Sequence, residues 1–378
     1  MSPSPEERLA RAALSRLAEP GDLRLAALVA ELGAVPLHRL LVDERDLMGL
    51  QTDVAARLTG IDAERELDQA SRSGLRFLIP GDEEWPEQLG DLAGREPLHE
   101  RGGVPIGLWA KGPLRLDQIA LSVAVVGSRA STTYGASVAG EIGAVAAMAG
   151  VAVVSGAAFG IDDASHRGAL SVDGPTVAVL ACGADRVYPA AHRELIAQIA
   201  ATGAVVSEAA PGCAPQRIRF LARNRLIAGL TRGTVVVEAA TRSGALNTAH
   251  WARRLNRVVM GVPGPVTSVS SVGVHEQLKS GAMSLVTSGA DVLELVGESG
   301  AHLVEPPRAP TTVRDQLTSR QRQVLDAVPV SSGVGPDSIA RVAGLGLIEV
   351  RAALTTLHRV GLVDDDEDGW RLTALAHR

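Results

Sequence analysis

The chain has 378 residues, of which 46% are hydrophobic and 21% are charged, a composition that excludes a disordered protein and allows for two or three domains. Its 37 basic residues against 43 acidic residues give a formal net charge of -6, which excludes a uniformly basic nucleic-acid-binding protein but not a local basic surface. Two cysteines, Cys182 and Cys213, are too few for a disulfide framework, so a cytoplasmic location is expected.

The first 70 residues place Leu, Ala and Arg at spacings of three and four, without a strand-like run. This periodicity predicts a small helical domain over residues 1–70. The opening sequence Met-Ser-Pro-Ser-Pro lacks the basic start and apolar core of a secretory signal, so export is not expected. Residues 75–111 alternate short apolar pieces with turn residues, and we expect them to pack on the domain that follows.

The central part of the chain alternates short β-branched runs with helical stretches. The runs lie at residues 123–126, 151–154, 176–180, 204–206, 234–237 and 258–260. Their near-continuous apolarity is typical of strands covered on both faces and predicts an α/β fold with a doubly wound, mostly parallel sheet. The uncharged stretch 142–161 is long enough to span a membrane. Because it changes at Gly150 from Ala-rich to β-branched, we expect a helix end followed by a buried strand.

The C-terminal part begins with a Pro-rich segment, residues 298–315, which predicts a linker. Residues 316–378 then show the pattern helix, turn, helix, turn, helix and hairpin, which is typical of a winged-helix domain. The hairpin carries five consecutive acids at residues 364–368. DNA binding depends on neutralising phosphates, which acidic side chains cannot do. We therefore expect this domain to contact proteins or to have a regulatory role.

Established patterns for cofactor chemistry are missing from the sequence. The Lys279-Ser280 pair has Leu278 where a P-loop requires glycine, and the turn at residues 127–130 lacks the G-x-G-x-x-G spacing. The histidines show no metal-ligand spacing and are expected to be solvated or to cap helices: His166, His192, His250 and His275. The sequence therefore predicts no nucleotide, metal or other cofactor.

Small residues follow the first two central strands. Gly127, Ser128 and Arg129 lead to Tyr134, where a helix begins, and the second strand is followed by Ser155, Gly156 and Gly160. At the carboxyl edge of a parallel sheet, exposed amides and helix N-termini form an anion site. The alternative is that these glycines only permit the tight turns of a doubly wound fold.

Arginines are concentrated after residue 208. Residues 121–290 hold 14 basic and 9 acidic side chains, and Arg217, Arg219, Arg223 and Arg225 surround Phe220 without any acid among them. A row of guanidinium groups with an aromatic ring suits a strand of phosphates with stacked bases better than a single nucleotide. The alternative is a solvated, Arg-rich helix face in a chain with few lysines.

These motifs together resemble the DNA-processing protein A (DprA/Smf) family over residues 75–295. The matching segments are Gly-Ser-Arg with Tyr-Gly (127–135), Ser-Gly-x-Ala-x-Gly-Ile-Asp (155–162), Gly-x-Asp-x-x-Tyr-Pro (183–189), Ser207-Glu208, Phe-x-x-Arg-Asn-Arg (220–225), Glu238, Ser-Gly-x-Leu-x-Thr-Ala (243–249) and Val-Pro-Gly (262–264). The chain departs from the family pattern at Leu221, His192 and His275, where the family commonly has Pro, Asn and Asn.

The resemblance implies an extended Rossmann domain at residues 75–297 that binds single-stranded DNA without hydrolysing it, between a helical, SAM-like domain and the winged helix. It also implies a cytoplasmic homodimer that protects incoming DNA in natural transformation and loads the RecA recombinase. Asp162, Glu208 and Glu238 would position loops. The implied DNA-binding residues are Gly127, Ser128, Arg129, Tyr134, Ser155, Gly156, Gly160, Arg217, Arg219, Phe220, Arg223, Asn224, Arg225, Ser243, Gly244 and Thr248.

Some alternatives remain open at this point. Two hypotheses are open for Phe220: its ring stacks on a base, or it anchors its segment in the core. Related Rossmann proteins cleave nucleoside monophosphates, but the chain lacks their Pro-Gly-Gly-x-Gly-Thr loop, since Pro265 follows Gly264. A third hypothesis for the function is that the acidic hairpin and the linker are a centre of protein contacts and that DNA binding is secondary.

Overall fold

A computed structural model of the chain describes residues 3–44, 52–298, 300–303 and 312–377. It contains two compact units, residues 1–304 and residues 305–378. Residues 45–51 of the predicted helical domain and residues 299 and 304–311 of the predicted linker lie outside the described residues.

Five helices open the first unit: α1 (Pro5–Leu17), α2 (Leu23–Leu32), α3 (Ala34–Val42), α4 (Asp53–Thr59) and α5 (Ala63–Arg72). The side chains of Ser4, Asp22 and Thr52 cap α1, α2 and α4 by accepting backbone N–H groups of the first turn. Within the described ranges, no single helix is long and apolar enough to cross a membrane, whereas α2 and α3 qualify only as a pair bent by 112°.

A nine-stranded sheet forms the centre of the first unit. Its strands are β1 (Leu75–Leu78), β2 (Leu108–Lys111), β3 (Ser122–Val126), β4 (Ala152–Ser155), β5 (Thr176–Val179), β6 (Ala204–Ser207), β7 (Gly233–Val236), β8 (Val258–Gly261) and β9 (Ser284–Leu285). Their order is β1-β2-β6-β5-β4-β3-β7-β8-β9. All neighbours from β6 to β9 pair in parallel, and β1 and β2 add an antiparallel edge. The predicted parallel α/β sheet is confirmed, and residues 75–111 contribute the two antiparallel strands at one end of it.

Helices cover both faces of this sheet: α6 (Thr133–Met148), α7 (Ile161–Leu170), α8 (Arg193–Thr202), α9 (Arg217–Gly229), α10 (Gly244–Arg254), α11 (Val269–Lys279) and α12 (Gly289–Val296). Alternate residues of β3 pack in opposite directions. Val123 and Val125 share a core with Ile142 of α6, whereas Val126 shares another with Leu226 of α9 and Trp251 of α10. Burial on both faces explains why these strands read as continuous apolar runs.

The second unit contains α13 (Ser319–Asp326), α14 (Pro336–Ala343), α15 (Leu347–Arg359) and a hairpin of β10 (Val363–Asp366) and β11 (Gly369–Leu372). Val324, Ile339, Leu354 and Leu357 form the centre of its own hydrophobic core. Gly344 adopts a left-handed conformation with φ 65° and ends α14. The hairpin directs Asp364, Asp365 and Asp366 to solvent.

Candidate nucleic-acid interface

An open groove of about 980 Å³ lies at the carboxyl edge of the sheet, beside the ends of β3 and β7 and the first turns of α9 and α10. This is the edge at which parallel α/β sheets bind ligands. The groove brings together ten of the predicted DNA-binding residues: Gly127, Ser128, Arg129, Arg217, Phe220, Arg223, Asn224, Ser243, Gly244 and Thr248.

The groove is basic. Its charged lining consists of Arg129, Arg217, Arg223, Arg242 and a single carboxylate, Asp162. Across the described part of the chain, none of these arginines has a carboxylate oxygen within the 4.0 Å of an ion pair. An anion entering the groove therefore meets guanidinium groups that are not engaged in a direct ion pair, although Asp162 still acts on Arg223 through its charge.

The Phe220 ring lies in the middle of this basic lining. The Arg129 guanidinium carbon is 4.9 Å from the ring centroid, and the ring of Tyr188 is 5.7 Å away on a tilted plane. Phe220 itself is half-buried. The cation and the rings thus form one aromatic and cationic surface, of the kind on which bases stack.

Arg223 forms the floor of the groove and is only 6% exposed. Its Nη1 donates to the Val179 carbonyl oxygen at 3.1 Å, and a Cβ on Gly156 would lie 1.4 Å from that nitrogen. Burial lowers the pKa of the guanidinium. The Arg223 guanidinium lies so close to the backbone at residue 156 that any larger side chain there would displace it. Glycine is therefore required at this position.

Asp162 faces the same buried region. Its Oδ2 accepts the N–H groups of Gly156 at 3.2 Å and Ala158 at 3.3 Å. Burial raises the pKa of this carboxyl group. The carboxylate thereby fixes the backbone of the loop after β4.

Glu238 occupies the N-terminus of α6. Its carboxylate accepts the Thr132 N–H at 2.9 Å and the Thr132 hydroxyl at 2.6 Å, and its backbone carbonyl accepts the Ser128 N–H at 2.7 Å. Ser128 in turn accepts Ile161 N–H on its carbonyl oxygen. The protein's own carboxylate therefore fills the helix end at which many Rossmann proteins bind a phosphate.

Six of the predicted DNA-binding residues lie outside the groove lining. The Ser155 hydroxyl is buried and donates to the Val125 carbonyl oxygen, and the Gly156 N–H is used by Asp162. Arg219 and Arg225 are paired with Glu19 and Glu208. The two others are Tyr134, whose hydroxyl donates to the Pro263 carbonyl oxygen, and Gly160, which packs against the Ser128 carbonyl oxygen.

Two histidines also differ from their expected solvated or capping role. His166 is fully buried, its Nδ1 lies 2.8 Å from the Thr176 hydroxyl, and burial lowers its pKa to about 3. His192 is buried with its Nδ1 3.0 Å from the Ala157 carbonyl oxygen. Both are core residues, and the described residues contain no cluster of potential metal ligands.

Arg242 and Asn247 also line the groove, and neither is among the DNA-binding residues predicted from the sequence. Arg242 lies in the loop after β7, and its place beyond a carboxyl strand end is a signal that could have identified it. Asn247 lies one helical turn after the α10 cap Ser243, and its Oδ1 accepts the Asn224 side-chain N–H at 3.2 Å. The two amides fix each other beneath the groove surface.

The sheet, its helices and the groove define an α/β protein with a mostly parallel sheet and an arginine-lined groove at the carboxyl edge of that sheet. A family model described as DNA recombination-mediator protein A matches residues 76–297. The chain belongs to this family, the DNA-processing protein A (DprA/Smf) family, and the resemblance seen in its motifs is confirmed.

Similar proteins extend the match beyond the central domain. A DNA processing protein DprA of Mycobacterium tuberculosis is 45% identical over 372 residues, which cover 95% of this chain and 92% of the relative. The X-ray structure of DprA from Streptococcus pneumoniae has a TM-score of 0.62 and 32% identity, and the match covers 78% of this chain and 98% of that chain.

A third comparison concerns a structure that describes the single-stranded DNA binding mode of DNA processing protein A from Helicobacter pylori. It has a TM-score of 0.51 and 25% identity, and it covers 58% of this chain and 94% of that chain. Members of the family are DNA-processing and DNA-binding proteins and are not known as enzymes, which agrees with the prediction of a non-catalytic protein.

Proposed function

We propose that this chain binds single-stranded DNA along the groove without cleaving it. The observation that carries the proposal is the set of four groove arginines without an ion-pair partner among the described residues. They surround an aromatic ring, so phosphates and a stacked base find complementary groups side by side. The Helicobacter pylori relative, whose structure describes single-stranded DNA binding, supports the same ligand.

We further infer that the protein acts as a cytoplasmic homodimer that protects incoming DNA in natural transformation and loads the RecA recombinase onto it. The description of the matching family as a recombination mediator supports this role. Light scattering would test the dimer. Faster RecA filament formation on strands that carry the protein, compared with bare strands, would test the loading.

For the domain roles, we propose a helical, SAM-like domain at residues 1–70, the DNA-binding domain at 75–297, a linker at 298–315 and a winged helix at 316–378. Three helices followed by a two-stranded hairpin support the winged-helix assignment. The exposed acids of β10 favour a protein-contacting or regulatory role for this module, because they would repel phosphates.

The decisive experiment compares oligo-dT with duplex DNA of equal length in a gel shift at two salt concentrations. We expect tighter binding of the single strand, and a logarithmic affinity that falls with log salt by about 0.7 per neutralised phosphate. Preference for the duplex would refute the groove as a single-strand site. Turnover of nucleoside monophosphates by the pure protein would refute the non-catalytic role.

A further inference from the structure

The turn between α1 and α2 (residues 18–22, the α1–α2 turn) makes an unexpected contact with α9. Arg219 of α9 binds Glu19 through two bonds, Nε to Oε2 at 2.6 Å and Nη2 to Oε1 at 2.7 Å, and its Nη1 donates to the Ala214 carbonyl oxygen at 2.6 Å. The Arg219 side chain is only 10% exposed. The Glu19 side chain is 37% exposed, and the bidentate geometry fixes how the two groups are oriented.

A second pair ties the same turn to α9 further along the helix. Arg225 is fully buried, and its Nη1 and Nη2 donate to the Glu208 carboxylate at 2.7 and 2.6 Å. The Glu208 carboxylate also accepts the Gly21 N–H at 3.3 Å. Gly21 has φ +71°, and its Cβ position lies 3.4 Å from the Arg225 guanidinium carbon, so the turn packs directly on the pair.

The adjoining side of α9 carries the groove residues Arg217, Phe220, Arg223 and Asn224, and Arg223 lies one helical turn after Arg219. Pro20 of the turn and Arg223 line one small cavity of about 10 Å³, which has room for no more than one water molecule. Residues 222–229 of α9 are all buried. Because a packed helix moves as a body, a shift of the turn is transmitted to the groove residues.

We propose that the α1–α2 turn is a positioning element for the groove, and that Glu19 is a positioning residue that holds α9 in its DNA-binding placement through Arg219. The inference rests on the proposed function. It adds that the N-terminal helices tune single-strand affinity without contacting the strand. If the turn is released from α9, the groove keeps all of its side chains, but its arginines are displaced.

The test uses the full chain with Glu19→Gln, Arg219→Gln and the double variant. The matched control is Glu6→Gln, which breaks the exposed ion pair between Glu6 of α1 and Arg39 of α3. We expect each single variant to weaken oligo-dT affinity about five- to tenfold with an unchanged salt slope, the double variant to lose no more than either single one, and the control to be unaffected.

Two other results would overturn the proposal. If Glu19→Gln lowers Tm while oligo-dT affinity stays at the wild-type value, the contact is structural only. If Arg219→Gln flattens the salt slope by about 0.7 and Glu19→Gln does not, Arg219 itself contacts a phosphate.

Hydrogen exchange of residues 217–229 in the free protein separates this proposal from the proposed function. The positioning role requires faster exchange in free Glu19→Gln than in free Glu6→Gln, and this result does not depend on whether the chain is able to bind DNA. Absence of oligo-dT binding by the wild-type chain would refute the proposed function. Equal exchange in the two variants would refute the positioning role.

Discussion

The two sides of α9 use the same residue type for opposite purposes. On the side of α9 that lines the groove, Arg217 and Arg223 have no ion-pair partner among the described residues. On the side that faces the α1–α2 turn, called the N-terminal side below, Arg219 and Arg225 each bind a carboxylate in bidentate fashion. The charge of the helix therefore does not identify its binding face. What distinguishes the two sides is whether a carboxylate from elsewhere in the chain has already neutralised the guanidinium.

The largest expected effect lies on the N-terminal side. Glu208→Gln leaves the fully buried Arg225 without its counter-charge, which costs about 3–5 kcal/mol of the free energy of unfolding. Urea unfolding followed by circular dichroism measures the loss. The exposed-pair variant Glu6→Gln should lose less than about 1 kcal/mol. Equal stability of the two variants would contradict the structural role of the buried pair.

On the groove side, Gly156→Ala should have the next largest effect. The added Cβ would lie 1.4 Å from Arg223 Nη1, so the guanidinium must leave the groove floor. We expect oligo-dT affinity to fall about tenfold to a hundredfold, or ~1.4 to 2.7 kcal/mol, as measured by fluorescence anisotropy. Gly90→Ala, where a Cβ meets no atom within 4 Å, is the matched control. Wild-type affinity in Gly156→Ala would remove Arg223 from the site.

Arg129→Ala tests the rim of the groove. It should weaken binding of all sequences alike by about tenfold and reduce the salt slope by about 0.7, because one phosphate contact is lost. Arg351→Ala removes an exposed arginine of α15 and should change neither affinity nor slope. A loss that depends on base sequence would argue against a backbone contact by Arg129.

The smallest effect concerns pH and the Glu19–Arg219 pair. The hydrogen bond from Arg219 lowers the pKa of Glu19, so this carboxylate stabilises the folded chain above its ordinary pKa and loses that contribution as pH falls through the folded value. The stability difference between the wild-type chain and Glu19→Gln should therefore shrink as the pH falls below the ordinary pKa of a glutamate. Urea unfolding across this range measures it, and a constant difference would show that the charge of Glu19 is irrelevant.

The sequence predicts the sheet and part of the groove because both depend on local signals. The β-branched runs specify buried strands, and Gly127, Ser128 and Arg129 reach the groove because they directly follow β3. The pairing of the arginines is not local. Glu19 is 200 residues from Arg219 in the chain, and no periodicity encodes which acid reaches which guanidinium. The burial of His166 likewise depends on how α7 packs against β4 and β5.

The carboxylate of Glu238 at the start of α6 has a consequence for small phosphate esters. A nucleoside triphosphate can bind at an open helix N-terminus because the unpaired N–H groups and the helix dipole attract its phosphates. Here the triphosphate would meet a negative charge that Thr132 already holds in place. This helix end therefore offers no anion site to a mononucleotide, which leaves the arginines of the groove as the place for a phosphate contact.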